Sequence, residues 1–184
     1  INEVERDLPP NWADALDNAI IAATYAPNHK RTEPWRFHIL GSDTIQKICE
    51  LNAEIVSSKK GPKAGQAKLE RWLAIPGWLV VTCCTTEDTT KVKNAMGSPM
   101  SIEREDYAAC CCAVQNLCLS LHSQGIGTKW TTGAVNFDSK FPEAVGFNPS
   151  LEYVVGTLWF GTPKVLPTAP SKKFGLNHVL IRHR

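Results

Sequence analysis

Hydrophobic and polar positions follow two rhythms along the first forty residues. From Asn11, apolar side chains recur every three or four positions as far as Ala23, which is typical of an amphipathic helix. We expect Asn11 to cap this helix and Ala26-Pro27-Asn28 to end it, because the residue before a proline disfavours helical backbone. Residues 35–40, WRFHIL, then alternate with a period of two and predict a strand.

The next segment predicts two helices separated by a loop. Asp43 and Gln46 have the spacing of a capping box, and an apolar stripe runs from Ile45 to Ile55. Residues 57–66, SSKKGPKAGQ, contain three lysines and two glycines, so we expect a basic, flexible loop there. A short helix over 67–74 follows.

Two segments have the strongest patterns. Residues 77–84, GWLVVTCC, are almost continuously apolar and predict a central strand that is buried on both faces. A long helix is expected from about Ser101 to Gly125, with small or apolar residues around much of its circumference. Such a helix requires burial on more than one side, either inside the domain or at a subunit interface. Residues 87–100 lack a period, and we expect them to be mobile.

The last third predicts a short strand and turn over 126–134, a short helix near 138–146 and a strong strand over 151–161. The alternation of helices and strands indicates an α/β or α+β fold. With 184 residues, we expect one domain over 1–184. Residues 165–184 have little periodicity of their own, so we expect an arm that lies across another surface.

Composition excludes some partners. The net charge is only +2, so neither nucleic acid nor a membrane surface is an expected partner. No apolar run approaches the roughly 20 residues of a membrane-spanning helix. The sequence begins at Ile1 rather than Met, so we expect a trimmed chain. We expect a cytoplasmic location, with an organelle as the alternative.

The seven cysteines favour a reducing compartment, because their number is odd and no Cys-x-x-Cys spacing occurs. Cys110, Cys111 and Cys112 are consecutive on the predicted long helix. Adjacent helical residues point about 100° apart, so three neighbours cannot converge on one ion. We therefore expect close packing here and no metal site.

Sequence motifs for nucleotide binding, hydrolysis and zinc are absent: there is no Gly-x-Gly-x-x-Gly, no phosphate loop, no Gly-x-Ser-x-Gly and no His-Glu-x-x-His. The notable polar segment is residues 26–34, APNHKRTEP, between the first helix and the first strand. Its density of charged groups is consistent with a solvated connection or with the wall of a polar ligand site.

Four blocks of sequence resemble the nitroreductase family of flavoproteins, especially its small bacterial members. They are APNHKRTEPWRF, PGWLVVTC, LHSQGIGTKWTTG and VVGTLWFGTP, in the family's order. The resemblance implies a central mixed sheet flanked by helices. It also implies an intertwined homodimer that holds FMN in each of two interface sites, with the C-terminal arm of each chain wrapping its partner.

The same resemblance implies a ping-pong reaction in which NADH or NADPH reduces the flavin, which then reduces a nitroaromatic, a quinone or a similar small-molecule acceptor. It implies that the flavin does the chemistry, so we expect no catalytic protein residue. Lys30, Arg31 and Glu33 are candidates for tuning the flavin or for contact with the substrate, and residues 120–125 are expected near the nicotinamide nucleotide. The implied cofactor-binding residues are Tyr25, Pro27, Asn28, His29, Lys30, Trp130, Thr131 and Thr132.

One feature of the family is missing. Its members usually begin with an Arg-Arg-Ser/Thr element that binds the FMN phosphate, and here only Arg6 lies near that position. Lys164, Lys172 and Lys173 are secondary candidates for the phosphate. We expect either that the protein extends upstream of Ile1 or that it binds FMN poorly. Two alternatives to the reductase remain: a flavin-binding or flavin-consuming relative without general reductase turnover, and a dimeric interaction protein without cofactor. The acceptor and the choice between NADH and NADPH are not specified by the sequence.

Overall fold

A computed structural model describes residues 4–85, 102–166, 168–169 and 171–183. Residues 87–100, expected to be mobile, and Ser101 lie outside these described residues. The helices are α1 (Trp12–Thr24), α2 (Ser42–Lys60), α3 (Pro62–Leu73), α4 (Ile102–Ser123), α5 (Phe141–Val145) and α6 (Leu176–Val179). The strands are β1 (Trp35–Ile39), β2 (Gly77–Cys84), β3 (Gly127–Thr131) and β4 (Glu152–Gly161).

The four strands form one sheet in the order β1-β2-β4-β3. The α/β fold class is confirmed, but the expected mixed sheet is not found among the described residues, where all three strand pairings are antiparallel. The connection from β1 to β2 explains the first pairing. Two helices, α2 and α3, join these strands and return the chain to the end where β1 stopped, so β2 runs in the opposite direction. A single crossover helix would have made the pair parallel.

Hydrophobic cores cover both faces of the sheet. On one face α1 and α4 pack over residues such as Leu79 and Leu158. On the other face α2, α3 and α5 surround three tryptophans, Trp72, Trp78 and Trp159, whose ring centroids are 5.1–5.5 Å apart. β2 lies between β1 and β4 and is buried along nearly its whole length, which confirms the predicted central strand.

The first two helix starts differ in part from the prediction. Asn11 is at the cap position of α1, but its side chain makes no capping hydrogen bond. The capping box of Asp43 and Gln46 is wrong: α2 begins two residues earlier than this box requires, with Gly41 at the cap position, and the Gln46 amide instead donates to Glu50 one turn later. Gln46 therefore forms a hydrogen bond on the exposed side of α2 and does not cap the start of the helix.

The flexible loop predicted over 57–66 is also wrong. α2 continues to Lys60 and α3 starts at Pro62, so the chain turns at Gly61 alone, where φ is 87°. Gly65 lets the two helices approach closely, since a Cβ there would be 1.9 Å from the hydroxyl oxygen of Ser57. The glycines are places of tight geometry, one for the turn and one for helix packing.

The predicted long helix is confirmed as α4, and Gly125 follows it with a φ of 78°. Its buried side packs on α1 and the sheet. The opposite side exposes Ala108, Cys112 and Leu119, with Leu119 57% exposed. Burial on more than one side is therefore not reached within a single chain.

The described part of the C-terminal segment makes few contacts with the rest of the chain. Val165, Leu166, Phe174, Val179 and Ile181 are all more than half exposed. At its start, Pro163 forms a β-bridge with Val4. An arm that wraps a partner stays a prediction. Among the described residues, none of the helices has both the length and the apolar character needed to cross a membrane.

Candidate functional site

The polar loop between α1 and β1 is anchored at both ends and exposed in between. Ala26 and Pro34 are buried, whereas most residues between them face solvent. The carbonyl of Pro34 accepts a hydrogen bond of 2.7 Å from the amide of Cys84 in β2, so the sheet fixes the end of the loop. The loop is thus a protruding segment with rigid supports.

Backbone geometry in this loop is unusual. Lys30, Arg31 and Glu33 have φ values of 55°, 56° and 45°, in the left-handed region that residues other than glycine rarely adopt. Side-chain hydrogen bonds of Asn28 hold the turn: Oδ1 accepts from the amide of Glu33 at 3.1 Å, and Nδ2 donates to the carbonyl of Ala26 at 3.2 Å. Strain of this kind is concentrated at functional sites.

The loop presents an aromatic ring and several hydrogen-bond donors to its surroundings. Tyr25 is 82% exposed at the end of α1, and Pro27 and Lys30 are also exposed. His29 is half exposed, with Nε2 4.0 Å from a carboxylate oxygen of Glu105 in α4. The amide of Asn28, in contrast, is already bonded within the loop, so it orders the loop rather than offering free donors.

The second group of predicted residues lies at the end of β3. Trp130 is 39% exposed, Thr131 is half buried and Thr132 is exposed. Asn136, which the sequence pattern did not single out, is buried and supports this turn: its Nδ2 donates to the carbonyl of Thr131 at 3.4 Å, and its Oδ1 accepts from Thr157 at 3.3 Å. An isolated asparagine after a turn gives no sequence signal of such a role.

The two groups do not come together within one chain. The loop leads into β1 at one edge of the sheet, and Trp130 and Thr131 end β3 at the other edge, with Thr132 directly after them. Two strands, β2 and β4, separate them, and at a spacing of about 4.8 Å per strand the edges are roughly 14 Å apart. The predicted site residues therefore lie in two separate groups on each chain.

The secondary candidates lie in separate places. Arg31 and Glu33 are exposed in the loop, and the segment 120–125 closes α4. Arg6 is exposed and lines a cavity of about 440 Å³ beside the end of α3, with Glu70, Leu73 and Ala74. Lys164, Lys172 and Lys173 are exposed in the C-terminal segment.

The cysteine triplet spans three environments: Cys110 is buried, Cys111 is partly buried and Cys112 is exposed. A hydrogen bond with Cys83, followed by burial, raises the pKa of the Cys110 thiol. The described residues contain no group of three or more histidine, cysteine or acidic side chains placed to hold a metal ion.

Comparison with known proteins assigns the family. The family model for the nitroreductase family matches residues 13–162. A Bacillus subtilis protein named "Putative NAD(P)H nitroreductase YfhC" is 31% identical over 149 residues, which cover 79% of this chain and 71% of that protein.

Solved structures share the fold. A nitroreductase-like family protein from Bacillus cereus superposes with a TM-score of 0.75 at 24% identity, covering 100% of this chain and 90% of that one. A "putative nitroreductase in complex with fmn" from Desulfovibrio desulfuricans superposes with a TM-score of 0.70 at 17% identity, covering 100% and 91%. The family match spans both the loop before β1 and the turn after β3. The chain belongs to the nitroreductase family.

Proposed function

We propose that this protein is an FMN-dependent NAD(P)H oxidoreductase that reduces nitroaromatic, quinone or similar electron-poor acceptors in two half-reactions. The observation that carries the proposal is that a strained, donor-rich loop and an exposed aromatic segment at the end of β3 both lie inside the part of the chain that matches the family. Names of relatives support the electron donor, since YfhC is named for NAD(P)H. The Desulfovibrio desulfuricans structure supports the flavin, since it contains FMN.

The residues present fit a flavin. An isoalloxazine needs hydrogen-bond partners at its pyrimidine edge, an apolar or aromatic support and one open face. His29, Lys30 and the backbone at Pro27 offer the polar partners, and the exposed ring of Tyr25 offers an aromatic surface. When bound, FMN accepts hydride from the nicotinamide and passes reducing equivalents to the acceptor.

The protein's own groups bind and orient in this proposal. Lys30 would supply a positive charge that stabilises the negative charge of the reduced flavin. Trp130, Thr131 and Thr132 would contact the ring system of bound FMN, and Asn136 holds the end of their segment through its hydrogen bond to Thr131. None of them acts as a nucleophile or as an essential acid or base.

A second copy of the chain completes the site. The loop and the β3 turn lie at opposite sheet edges, so a loop from one copy and a turn from another can face each other across a two-fold axis. The exposed apolar side of α4, including Leu119, provides a surface for this contact. In this dimer each chain is a single domain over residues 1–184. Residues 165–184 of each chain would lie on the partner as an arm.

The first test is a visible absorption spectrum after incubation with FMN and removal of free flavin. We expect a retained flavin band that bleaches under anaerobic conditions when NADH or NADPH is added, and that returns when a quinone is supplied. Light scattering on the same sample measures the oligomeric state, for which we expect a dimer.

Other outcomes have distinct meanings. A retained band that neither nucleotide bleaches contradicts the reductase and indicates a relative that binds flavin without turnover. Absence of the band in a folded sample, judged by circular dichroism, contradicts the proposal as a whole.

A further inference from the structure

One hydrogen bond ties the polar loop to the long helix α4. The hydroxyl of Thr32 donates to Oδ1 of Asp106 over 2.6 Å, although the two residues are 74 positions apart. The side-chain bonds of Asn28 stay inside the loop. His29 approaches α4 only at 4.0 Å from Glu105, and the two side chains are 50% and 27% exposed, so solvent weakens their interaction. Among the described residues, the Thr32 bond is therefore the short side-chain contact that fixes the loop relative to α4.

The environment of Asp106 is unfavourable for a carboxylate. Its side chain is 1% exposed, and within the described part of the chain Oδ2 has no hydrogen-bond partner. Burial of a polar atom without a partner costs free energy, and more so when the group is charged. Stability alone does not explain an aspartate here, whereas its one hydrogen bond reaches the loop of the proposed flavin site.

The loop needs such a support. Three of its residues, Lys30, Arg31 and Glu33, have left-handed backbone, which persists only where surrounding contacts hold it. Thr32 lies in the middle of this run, with φ of −66° between two left-handed neighbours. A contact at Thr32 therefore acts on the whole strained turn.

We propose that Asp106 is a positioning residue, which acts through Thr32 to hold residues 28–33 in the conformation that presents His29 and Lys30 to the flavin. The part that concerns flavin rests on the function proposed above. The tether itself does not, because its effect on the loop is measurable in protein without cofactor.

The first experiment is limited trypsin digestion of the folded protein. Lys30 and Arg31 are exposed, so cleavage after them reports how often the loop opens. Thr32→Val keeps the shape of the side chain and removes the donor, and we expect cleavage about tenfold faster. Thr32→Ser restores the hydroxyl, so its rate should match the wild type. Mass spectrometry of the fragments identifies the cleaved bond.

Two substitutions at Asp106 test the other end of the bond. Asp106→Asn keeps an acceptor oxygen for Thr32, so we expect cleavage close to the wild-type rate. Asp106→Ala removes the acceptor, so it should behave like Thr32→Val. If the alanine variant fails to fold, the comparison of Thr32→Val with Thr32→Ser still decides the question.

The second experiment measures the dissociation constant of FMN by quenching of flavin fluorescence. We expect a rise of about tenfold for Thr32→Val and none for Thr32→Ser. Ile48→Val is the matched control, because Ile48 is fully buried in the core on the other face of the sheet. It lowers stability without touching the loop, so its FMN affinity should stay unchanged.

Equal cleavage of Thr32→Val and wild type overturns the tether. Equal loss of FMN affinity in Thr32→Val and Ile48→Val overturns the positioning role, because general instability then accounts for it. If the wild type binds no FMN, the proposed function fails, while the cleavage rates still decide the tether.

Discussion

Trp130 packs directly against the backbone of Gly156: a Cβ built on Gly156 would lie 2.0 Å from Nε1 of the indole. Gly156 is in β4 beside the β3 edge strand that carries Trp130. The missing side chain therefore creates the space in which one of the predicted flavin residues sits.

Gly156→Ala should destabilise the protein by about 1–3 kcal/mol, since overpacking forces the indole or the strand to move. In the double variant with Trp130→Ala the clash is gone, so the added methyl should cost much less. Urea denaturation measures both values. Gly41→Ala is the control, because a Cβ there meets no atom within 4 Å. Additive effects of the two substitutions would contradict the packing described.

Leu119→Glu should convert the proposed dimer into a monomer and reduce flavin retention. Leu119 is 57% exposed on the free side of α4, and a charge there is costly to bury against a second copy. Light scattering and the flavin absorption band measure the two effects. Leu151→Glu is the matched control, with 51% exposure in the turn before β4. A Leu119→Glu variant that stays dimeric would show that α4 is not the contact surface.

Lys30→Gln should make the midpoint potential of bound FMN more negative and lower kcat/KM about fivefold. A fivefold change corresponds to about 1 kcal/mol, which is near the upper end of the interaction free energy of an exposed charge pair. The reason is that loss of the cation disfavours the anionic reduced flavin. Lys30→Arg should retain most activity, and Lys59→Gln, at the end of α2, should have no effect. Potentiometric titration and steady-state kinetics measure these quantities. An unchanged potential in Lys30→Gln would exclude the proposed role of this charge.

Cys49 and Cys110 should resist alkylation in the folded protein. Burial and then the charge of Glu50 raise the pKa of Cys49 to about 12, and the hydrogen bond with Cys83 raises that of Cys110. Both thiols therefore stay protonated at pH 8, and the thiolate is the reactive form. After iodoacetamide treatment, mass spectrometry should find both cysteines unmodified in the native protein and alkylated in protein unfolded with guanidinium. Rapid labelling of either under native conditions would contradict this burial.

Local pattern predicted much of the fold. The continuous apolar run of β2 and the long stripe of α4 appear nearly where the sequence places them, because these elements bury large surfaces whose period is visible in the chain. The prediction of a flexible loop over 57–66 is wrong, because Gly61 and Gly65 are typical of flexible loops but here lie between and within two helices. Only the packing of α3 on α2 shows that one makes a turn and the other makes room for a helix.

For the candidate site too, the sequence predicted the segments but not their relative positions. Sequence resemblance singled out the loop from Tyr25 to Lys30 and the turn from Trp130 to Thr132, since those blocks are continuous in the chain. Their separation at opposite sheet edges follows from strand order, which depends on contacts between distant residues.

The sequence by itself therefore determined the order of helices and strands as far as β4, the family and the two segments proposed as the site. Tertiary structure alone decided that Asp106 is buried and bonded to Thr32, and that Gly156 seats Trp130. The physical reason is that a periodic pattern reports which side of an element is buried, whereas a hydrogen bond or a close contact depends on which distant residue meets it.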